Sequence, residues 1–501
     1  MRLKPHLAKT LGGSVLAGLL FAGLPSTAST ARAADTLTAG GATATTILPA
    51  TVTLSVEWTL IASFLVMFMM AGFALVETGL CRAKNAAHTT FVTLMSFVFA
   101  ATGFWICGFA LMQGGAPAPA LGGTPGLEAA REVSILLLGK TFGLFATKGF
   151  FLTGLQNAGV FALFFAQVVL LAVAVTIPTG AMAERWTLKG FYIYACFVSV
   201  LLYPLFGNWA WGGGWLANLG ANFGLGHGYV DFAGSGVVHA LGGLCGLAGA
   251  MVLGPRIGKF GKGGRINPMP AHHIPMALAG CIILAIGWFG FTTGRAALAS
   301  GGDLDRIGII AVVTLLGGAG GALASWAYTL FIGGKPDPTL VGNGLLAGLV
   351  GISASAGFVG SGAGFLIGAV AGLLVCWSVN LCDKFQVDDP VGAISIHGAS
   401  GLWGVLAVGI FADGTAAYGG SWNGVDGPVK GCLHGDWGQL GAQLIGCGTL
   451  AVWAFGVSWV FWRIVDEFVG LRVLPEVEIQ GLDVSETGVL GYPTFHTGGK
   501  E

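Results

Sequence analysis

The feature that most constrains this chain is a succession of apolar windows, each about 18–25 residues long, the length of a helix that crosses a bilayer. We place them at about 55–79, 89–112, 157–181, 190–210, 233–254, 273–293, 307–332, 340–357, 362–382, 392–412 and 439–463. With 54% hydrophobic and 9% charged residues, the composition excludes an ordinary soluble protein. The sequence therefore predicts an all-α polytopic membrane protein with eleven transmembrane helices.

The first 34 residues differ from the rest of the chain and are predicted to be a cleaved signal peptide. Basic residues precede an apolar run at about 11–24, and the segment ends in small residues around Ala31-Arg32-Ala33. A basic start, a short apolar core and an A-x-A-like end are typical of such a leader. The alternative is a first transmembrane helix. If the leader is removed, residues 35–54 form a short extracytoplasmic segment.

The distribution of basic residues predicts the orientation of the chain. Thirteen of the 23 Lys and Arg residues fall in segments predicted to lie inside, six in segments predicted to lie outside, and the other four in the leader. By the positive-inside rule, the N-terminus is outside and the C-terminus cytoplasmic. We therefore predict a multi-pass protein of a bacterial-type inner (plasma) membrane, with a transmembrane domain at 55–463 and a cytoplasmic tail at 464–501. The net charge of zero gives no indication of nucleic-acid binding.

One short pattern, D-x-x-G-x-x-x-x-H, occurs twice. It runs from Asp231 to His239 and from Asp389 to His397, and the copies open the fifth and tenth apolar windows. Because five crossings is an odd number, the second copy enters the membrane from the opposite side, as in inverted-topology repeats. Eight helical residues rise about 12 Å, close to the depth of the bilayer midplane. The two histidines are therefore predicted to meet near the middle of the membrane.

The aspartates and histidines of this pattern have different predicted roles. Asp231 and Asp389 stand where helix N-caps belong, although Asp231 could instead attract cations at the outer mouth. A cap role predicts that asparagine is tolerated, and a charge role predicts that it is not. His239 and His397 are polar groups in hydrocarbon, where each is the other's best partner, and we predict a role in permeation or proton relay over a structural one.

Aromatic residues cluster where the outer mouth is predicted. They include Trp211, which is followed by three glycines, and the run Trp288-Phe-Gly-Phe291. Such residues form either an interfacial aromatic belt or a site that holds a small cation by cation–π attraction. The triple glycine favours the second interpretation.

The chain carries no phosphate-binding loop and no zinc-protease or dinucleotide motif, and its nine cysteines show no C-x-x-C spacing. We therefore expect neither an enzyme nor a metal or other cofactor. One enzymatic alternative is the G-x-S-G of Gly398–Gly401, found in intramembrane serine proteases. No histidine in the following window could serve as the base of such a protease. Labelling by a serine-reactive fluorophosphonate would support this alternative.

Several stretches together resemble the ammonium transporter (Amt/Rh) family over nearly the whole mature chain. They are Gly79-Leu-Cys-Arg-Ala-Lys-Asn85, Gly180-Ala-Met-Ala-Glu-Arg185, Trp211-Gly-Gly-Gly214, the segment Asp231–His239, Gly287-Trp-Phe-Gly-Phe291, Asp388-Asp-Pro390, Ile396-His-Gly398, Gly470-Leu-Arg-Val473 and Gly481-Leu-Asp483. The resemblance implies an eleven-span, 5+5 inverted-repeat fold and a homotrimer with one pore in each subunit. It also implies a cytoplasmic face that a PII-type signalling protein can plug.

The resemblance also assigns roles to individual residues. His239 and His397 match the family's twin pore histidines, Trp211 matches the aromatic wall of its recruitment site, and Phe291 matches one of two gating phenylalanines. At two positions this chain departs from the family: Leu170 replaces the other gating phenylalanine, and Arg295 stands where a serine usually accepts a hydrogen bond from ammonium.

Two interpretations of Arg295 follow. Its guanidinium either repels or mimics the cation against Trp211, or extends into water and leaves Thr292 or Thr293 to accept the hydrogen bond. The leading prediction is ammonium transport through a hydrophobic pore with twin histidines. The alternative is an ammonium-sensing or regulatory relative that conducts weakly or not at all.

Overall fold

A computed structural model describes residues 50–114, 132–298, 306–414 and 421–493. The predicted signal peptide, 1–34, lies outside the described residues, as does most of the predicted segment 35–54. The first helix begins at Ala50, so the last five residues of that segment are helical.

Sixteen α-helices occur in the described residues, and they follow the predicted windows. They are α1 (Ala50–Leu80), α2 (Ala86–Gly103), α3 (Phe109–Gln113), α4 (Ala158–Met182), α5 (Leu188–Phe197), α6 (Tyr203–Trp211), α7 (Leu219–Phe223), α8 (Leu241–Leu253), α9 (Ile274–Leu298), α10 (Ile307–Gly333), α11 (Pro338–Ser353), α12 (Ser361–Lys384), α13 (Ser400–Phe411), α14 (Trp437–Leu450), α15 (Ser458–Val469) and α16 (Pro475–Gln480). Strands β1 (Glu132–Leu137) and β2 (Lys140–Ala146) form one antiparallel hairpin, and β3 (Ser421–Trp422) and β4 (Val425–Asp426) form a second.

Within the described residues, ten helical spans are long and apolar enough to cross a membrane. Five of them contain a wider π-helical segment, and two of these, Ser235–Leu253 and Ile394–Phe411, begin with it. The one remaining predicted window, 340–357, corresponds to α11, which has 16 residues and is shorter than a full crossing. The prediction of an all-α polytopic membrane protein is confirmed.

The two ends of the helix bundle carry different structures. The span Ala83–Gln113 starts beside the C-terminal tail, where Lys84 Nζ donates to the carbonyls of Glu478 and Ile479 at 2.7 and 2.5 Å. It ends beside β2. We call these ends the tail side and the hairpin side.

Buried ion pairs hold the tail side together. Arg256 pairs with Glu184 at 2.9 Å and with Asp388 at 2.8 Å, and Arg82 also pairs with Glu184. Burial alone would raise the pKa of Asp388, but the guanidinium groups of Arg185 and Arg256 hold it well below its ordinary value. Because these residues sit at the ends of different spans, the cluster fixes the spans relative to one another.

The tail packs onto this cluster. Arg472 pairs with Glu478 at 2.8 Å, and the Glu478 carboxylate accepts the Ile257 amide at 2.7 Å. Asp483 accepts the His88 amide near the start of α2 at 2.9 Å. The described part of the tail, through residue 493, is therefore bound to the helix ends.

Candidate pore and recruitment site

The two histidines are carried by the π-helical segments Ser235–Ala240 and Ile394–Ala399. A π-turn widens the helix locally and is frequent at functional sites. The two spans cross closely, because a methyl group placed on Gly243 in α8 would lie only 2.1 Å from the Gly398 amide nitrogen. Glycine at this crossing therefore lets the two repeats bring their histidines together.

Asp231 caps the first of these segments with both carboxylate oxygens. Oδ1 accepts the Gly234 amide at 2.8 Å, and Oδ2 accepts those of Gly236 and Val237 at 2.9 and 2.8 Å. Burial raises the pKa of Asp231, and these three bonds oppose that shift. Its backbone carbonyl also accepts Trp211 Nε1 at 2.7 Å. The cap thus fixes both the helix start and an aromatic residue of the mouth.

Asp389 caps the second segment in the same way. Its oxygens accept the amides of residues 392–394 at 2.8–3.1 Å. Burial raises the pKa of Asp389 to about 6. The matching geometry at the two ends agrees with an inverted repeat.

This geometry changes the expected effect of asparagine. A cap that uses both oxygens needs two acceptors, and an asparagine amide offers one acceptor and one donor. We expect Asp231→Asn to lower the free energy of unfolding by about 1–3 kcal/mol, measured as a lower Tm in detergent. Asp389→Asn is the matched comparison, since it disturbs an equivalent cap that holds no tryptophan. Its Tm should therefore fall as well. An unchanged Tm in both variants would contradict the two-oxygen cap.

The imidazoles of His239 and His397 contact each other. Their Nδ1 atoms lie 3.1 Å apart, and their ring centroids are 5.1 Å apart with an angle of 19° between the planes. Two Nδ1 atoms at that distance share one proton, so one donates and the other accepts. His239 is fully buried, and its Nε2 has no hydrogen-bond partner among the described residues. The pair can therefore hold or pass a proton and still present an unsatisfied nitrogen.

Aromatic rings enclose the pair. Trp288 and Phe291 stack on His239 with centroid distances of 5.0 and 5.1 Å, and Phe73 lies 5.9 Å from the ring of His397. Such walls exclude water and penalise an ion with its hydration shell.

A small cavity lies on the hairpin side of the histidines. It offers about 20 Å³ to the centre of a water-sized molecule, enough for about one such molecule. Leu170 and Phe291 form part of its wall, and Phe291 separates it from His239. Trp211 and Arg295 also line it. Four of the six residues predicted for the mouth and gate are thus brought together.

Arg295 lies over Trp211, with its Cζ atom 5.0 Å from the ring centroid. This is the position that a small cation would take in a cation–π site. Of the two interpretations made from the sequence, the geometry agrees with the guanidinium as a mimic of the cation.

The predicted acceptors Thr292 and Thr293 do not line this cavity. Their hydroxyls donate to carbonyls of their own helix, those of Trp288 at 3.1 Å and Phe289 at 2.5 Å. A helix presents different faces at successive residues, and the cavity receives the face of Arg295 instead.

Thr59 and Ser63, which were not predicted from the sequence, supply the hydroxyls of the cavity wall. Each donates to a carbonyl one turn earlier in α1, at 2.7 and 2.6 Å, so each oxygen can still accept a hydrogen bond. Polar residues spaced four apart in the first apolar window were the available signal.

Ser400 of the G-x-S-G sequence is fully buried, and its hydroxyl lies 3.4 Å from the Ser395 carbonyl. In the described residues, no group of three or more His, Cys, Asp or Glu side chains could hold a metal ion.

The chain is similar to known proteins over most of its length. The sequence model of the Ammonium Transporter Family matches residues 57–492. Ammonium transporter Amt2 of Archaeoglobus fulgidus is 40% identical over 442 residues, 87% of this chain and 88% of that protein. Ammonium transporter Amt1 of Haloferax mediterranei is 34% identical and covers 87% of this chain and 79% of its own length.

Solved structures are similar over the same range. The structure named Sensor Amt Protein has a TM-score of 0.74 and 29% identity, covering 87% of this chain and 99% of its own. Candida albicans Mep2 has a TM-score of 0.70 and 27% identity, covering 84% of this chain and 86% of its own.

Proposed function

Because this chain belongs to the ammonium transporter family and functions in ammonium transport, we propose that its substrate passes between the cavity at Trp211 and the pair His239–His397. The observation that carries this route is the 3.1 Å contact between the two imidazoles, directly behind the phenylalanine that closes the cavity. A cation recruited at the cavity loses its hydration there and gives its proton to the histidine pair. Its neutral form passes Leu170 and Phe291, and the histidine pair carries the proton.

The proposed orientation places the hairpin side outside and the tail side in the cytoplasm of an inner (plasma) membrane. It is supported by the excess of basic residues in segments predicted to lie inside. The signal peptide at 1–34 and the domain boundaries proposed from the sequence fit this orientation.

The family membership supports a homotrimer, with a PII-type signalling protein as its proposed partner at the tail side. Native mass spectrometry of the purified chain tests both proposals. Three subunits and an additional bound PII trimer are the expected species, and a lasting monomer would exclude the trimer.

The function is tested by growth and by current. We expect the chain to restore growth on low ammonium to a host that lacks its own transporters. We also expect purified protein on a solid-supported membrane to give a current when ammonium is added. Well-expressed, folded protein that supports neither growth nor current would contradict the proposal.

The second candidate is an ammonium-sensing relative with weak conduction. The observation that favours it is Arg295, which occupies the cation position over Trp211. One structural neighbour is named a sensor, and others are Mep2 structures with nearly the same TM-score. The comparison therefore gives no preference for sensing over transport.

A further inference from the structure

A buried carboxyl group lies on the tail side of the histidines, outside the site described so far. Glu77 stands in α1, three residues before its end, and is 2% exposed. In the described residues no salt bridge involves Glu77. An unpaired charge within a membrane span is costly. A carboxyl group in such a place is expected to carry a proton.

The hydroxyl groups around Glu77 indicate where that proton is. Thr179 Oγ1 lies 2.9 Å from both carboxyl oxygens and 2.5 Å from the carbonyl oxygen of Thr176. A carbonyl oxygen can only accept, so the short contact to Thr176 uses the single proton of the Thr179 hydroxyl. The contact between Thr179 and Glu77 then needs a proton from the carboxyl group.

A second hydroxyl has the same arrangement. Thr93 Oγ1 lies 3.1 Å from Glu77 Oε2 and 3.1 Å from the carbonyl oxygen of Thr89. With a neutral Glu77, the carboxyl donates to Thr179, and Thr93 donates either to Glu77 or to Thr89. With an ionised Glu77, the contact between Glu77 and Thr179 would join two acceptors.

Glu77 is also close to the helix that carries His397. A methyl group placed on Gly180 would lie 3.2 Å from Glu77 Oε1 and 3.6 Å from Ala393 Cβ, so the carboxyl and Ala393 both lie close to this glycine. Ala393 precedes His397 by four residues, about 6 Å of helix rise. Phe73, one turn before Glu77 in α1, contacts the ring of His397.

We propose that Glu77 is a proton-carrying group of the transport path, protonated at rest and placed one helical turn beyond the histidine pair on the tail side. This inference rests on the proposed function. Glu77 releases its proton to the tail side, and its carboxylate is then reprotonated by the histidine pair. The pair has taken that proton from ammonium, so the sum is one NH₃ and one H⁺ delivered for each NH₄⁺, with every group restored.

The competing role is structural, because the carboxyl group connects α1 to Thr93 in α2 and to Thr179 in α4. Glu77→Gln separates the two roles. Its amide has the shape of a protonated carboxyl and can donate to Thr179, but it cannot exchange a proton with the path. A structural role therefore predicts a nearly normal variant, and a proton-carrying role predicts a folded variant that does not pass protons.

The test uses the full-length protein in liposomes. We expect Glu77→Gln to reduce the ammonium-evoked current about a hundredfold while the Tm and the permeation of neutral ammonia stay near wild type. Thr93→Val is the matched control, since it removes one hydroxyl contact and keeps the acid, and its current should fall by less than about threefold. A Glu77→Gln current within twofold of wild type would overturn the proposal.

Infrared spectroscopy gives a test that does not depend on the folding of Glu77→Gln. With ¹³C-labelled glutamate, the wild-type protein should show the carbonyl stretch of a protonated carboxyl. Thr179→Val should shift that band by removing the acceptor. The absence of such a band would overturn this proposal alone, and a wild type without current would overturn the transport role together with the proposed function.

Discussion

Replacing both pore histidines, as His239→Ala with His397→Ala, is expected to reduce the ammonium-evoked current at least about a hundredfold. The two Nδ1 atoms at 3.1 Å are the polar contact that lies directly behind the gate. Alanine leaves a wholly apolar passage between Phe291 and Phe73, where a proton finds no carrier. The measurement is the peak current of reconstituted protein on a solid-supported membrane.

The matched control for this variant is His434→Ala. His434 is exposed in the 3₁₀ turn Cys432–His434 and does not line the cavity, so its loss should leave the current unchanged. The double variant should keep its Tm within a few degrees, because each alanine removes a polar group that the core tolerates poorly. A current equal to wild type would show that the substrate does not use the pair.

The contact between the histidines could be predicted from the sequence, because it follows from the number of spans between the two patterns and the number of residues within each. Two copies of one pattern, five spans apart, must enter from opposite sides, and eight residues of helix reach the midplane. The 3.1 Å contact between His239 and His397 confirms that the two histidines meet. The π-helical turns that carry them could not be foreseen, because a single widened turn leaves no period in the sequence.

The roles of Glu77 and of the mouth hydroxyls depend on other helices. Glu77 was visible as an acid in the first apolar window, but its partners Thr93 and Thr179 lie 16 and 102 residues away. Likewise, Thr59 and Ser63 become a cavity wall only when α9 packs against α1. Sequence distance does not indicate such neighbours, so packing had to be observed.

Replacing the cation mimic, as Arg295→Ser, is expected to raise ammonium uptake about tenfold at low substrate concentration. The Cζ atom of Arg295 lies 5.0 Å from the centroid of the Trp211 ring. A cation–π contact contributes roughly 0.5–2 kcal/mol. A free-energy difference of ~1.4 kcal/mol corresponds to a tenfold change in affinity. Serine removes this competitor and adds a hydroxyl acceptor beside those of Thr59 and Ser63. The measurement is the concentration dependence of the current, where the half-saturating concentration should fall.

Two further variants separate occupation of the site from general repulsion of cations. Lys140→Ser removes an exposed positive charge at the tip of the β1–β2 hairpin, where salt screens its effect, and should change uptake less than twofold. Arg295→Lys keeps the charge but loses the planar group that stacks on the indole, so its uptake should lie between wild type and serine. If serine instead lowers uptake, Arg295 belongs to the route itself. If this single change turns a weak conductor into a strong one, the difference between sensing and transport lies at the mouth. The wild type and the variant have the same histidine pair.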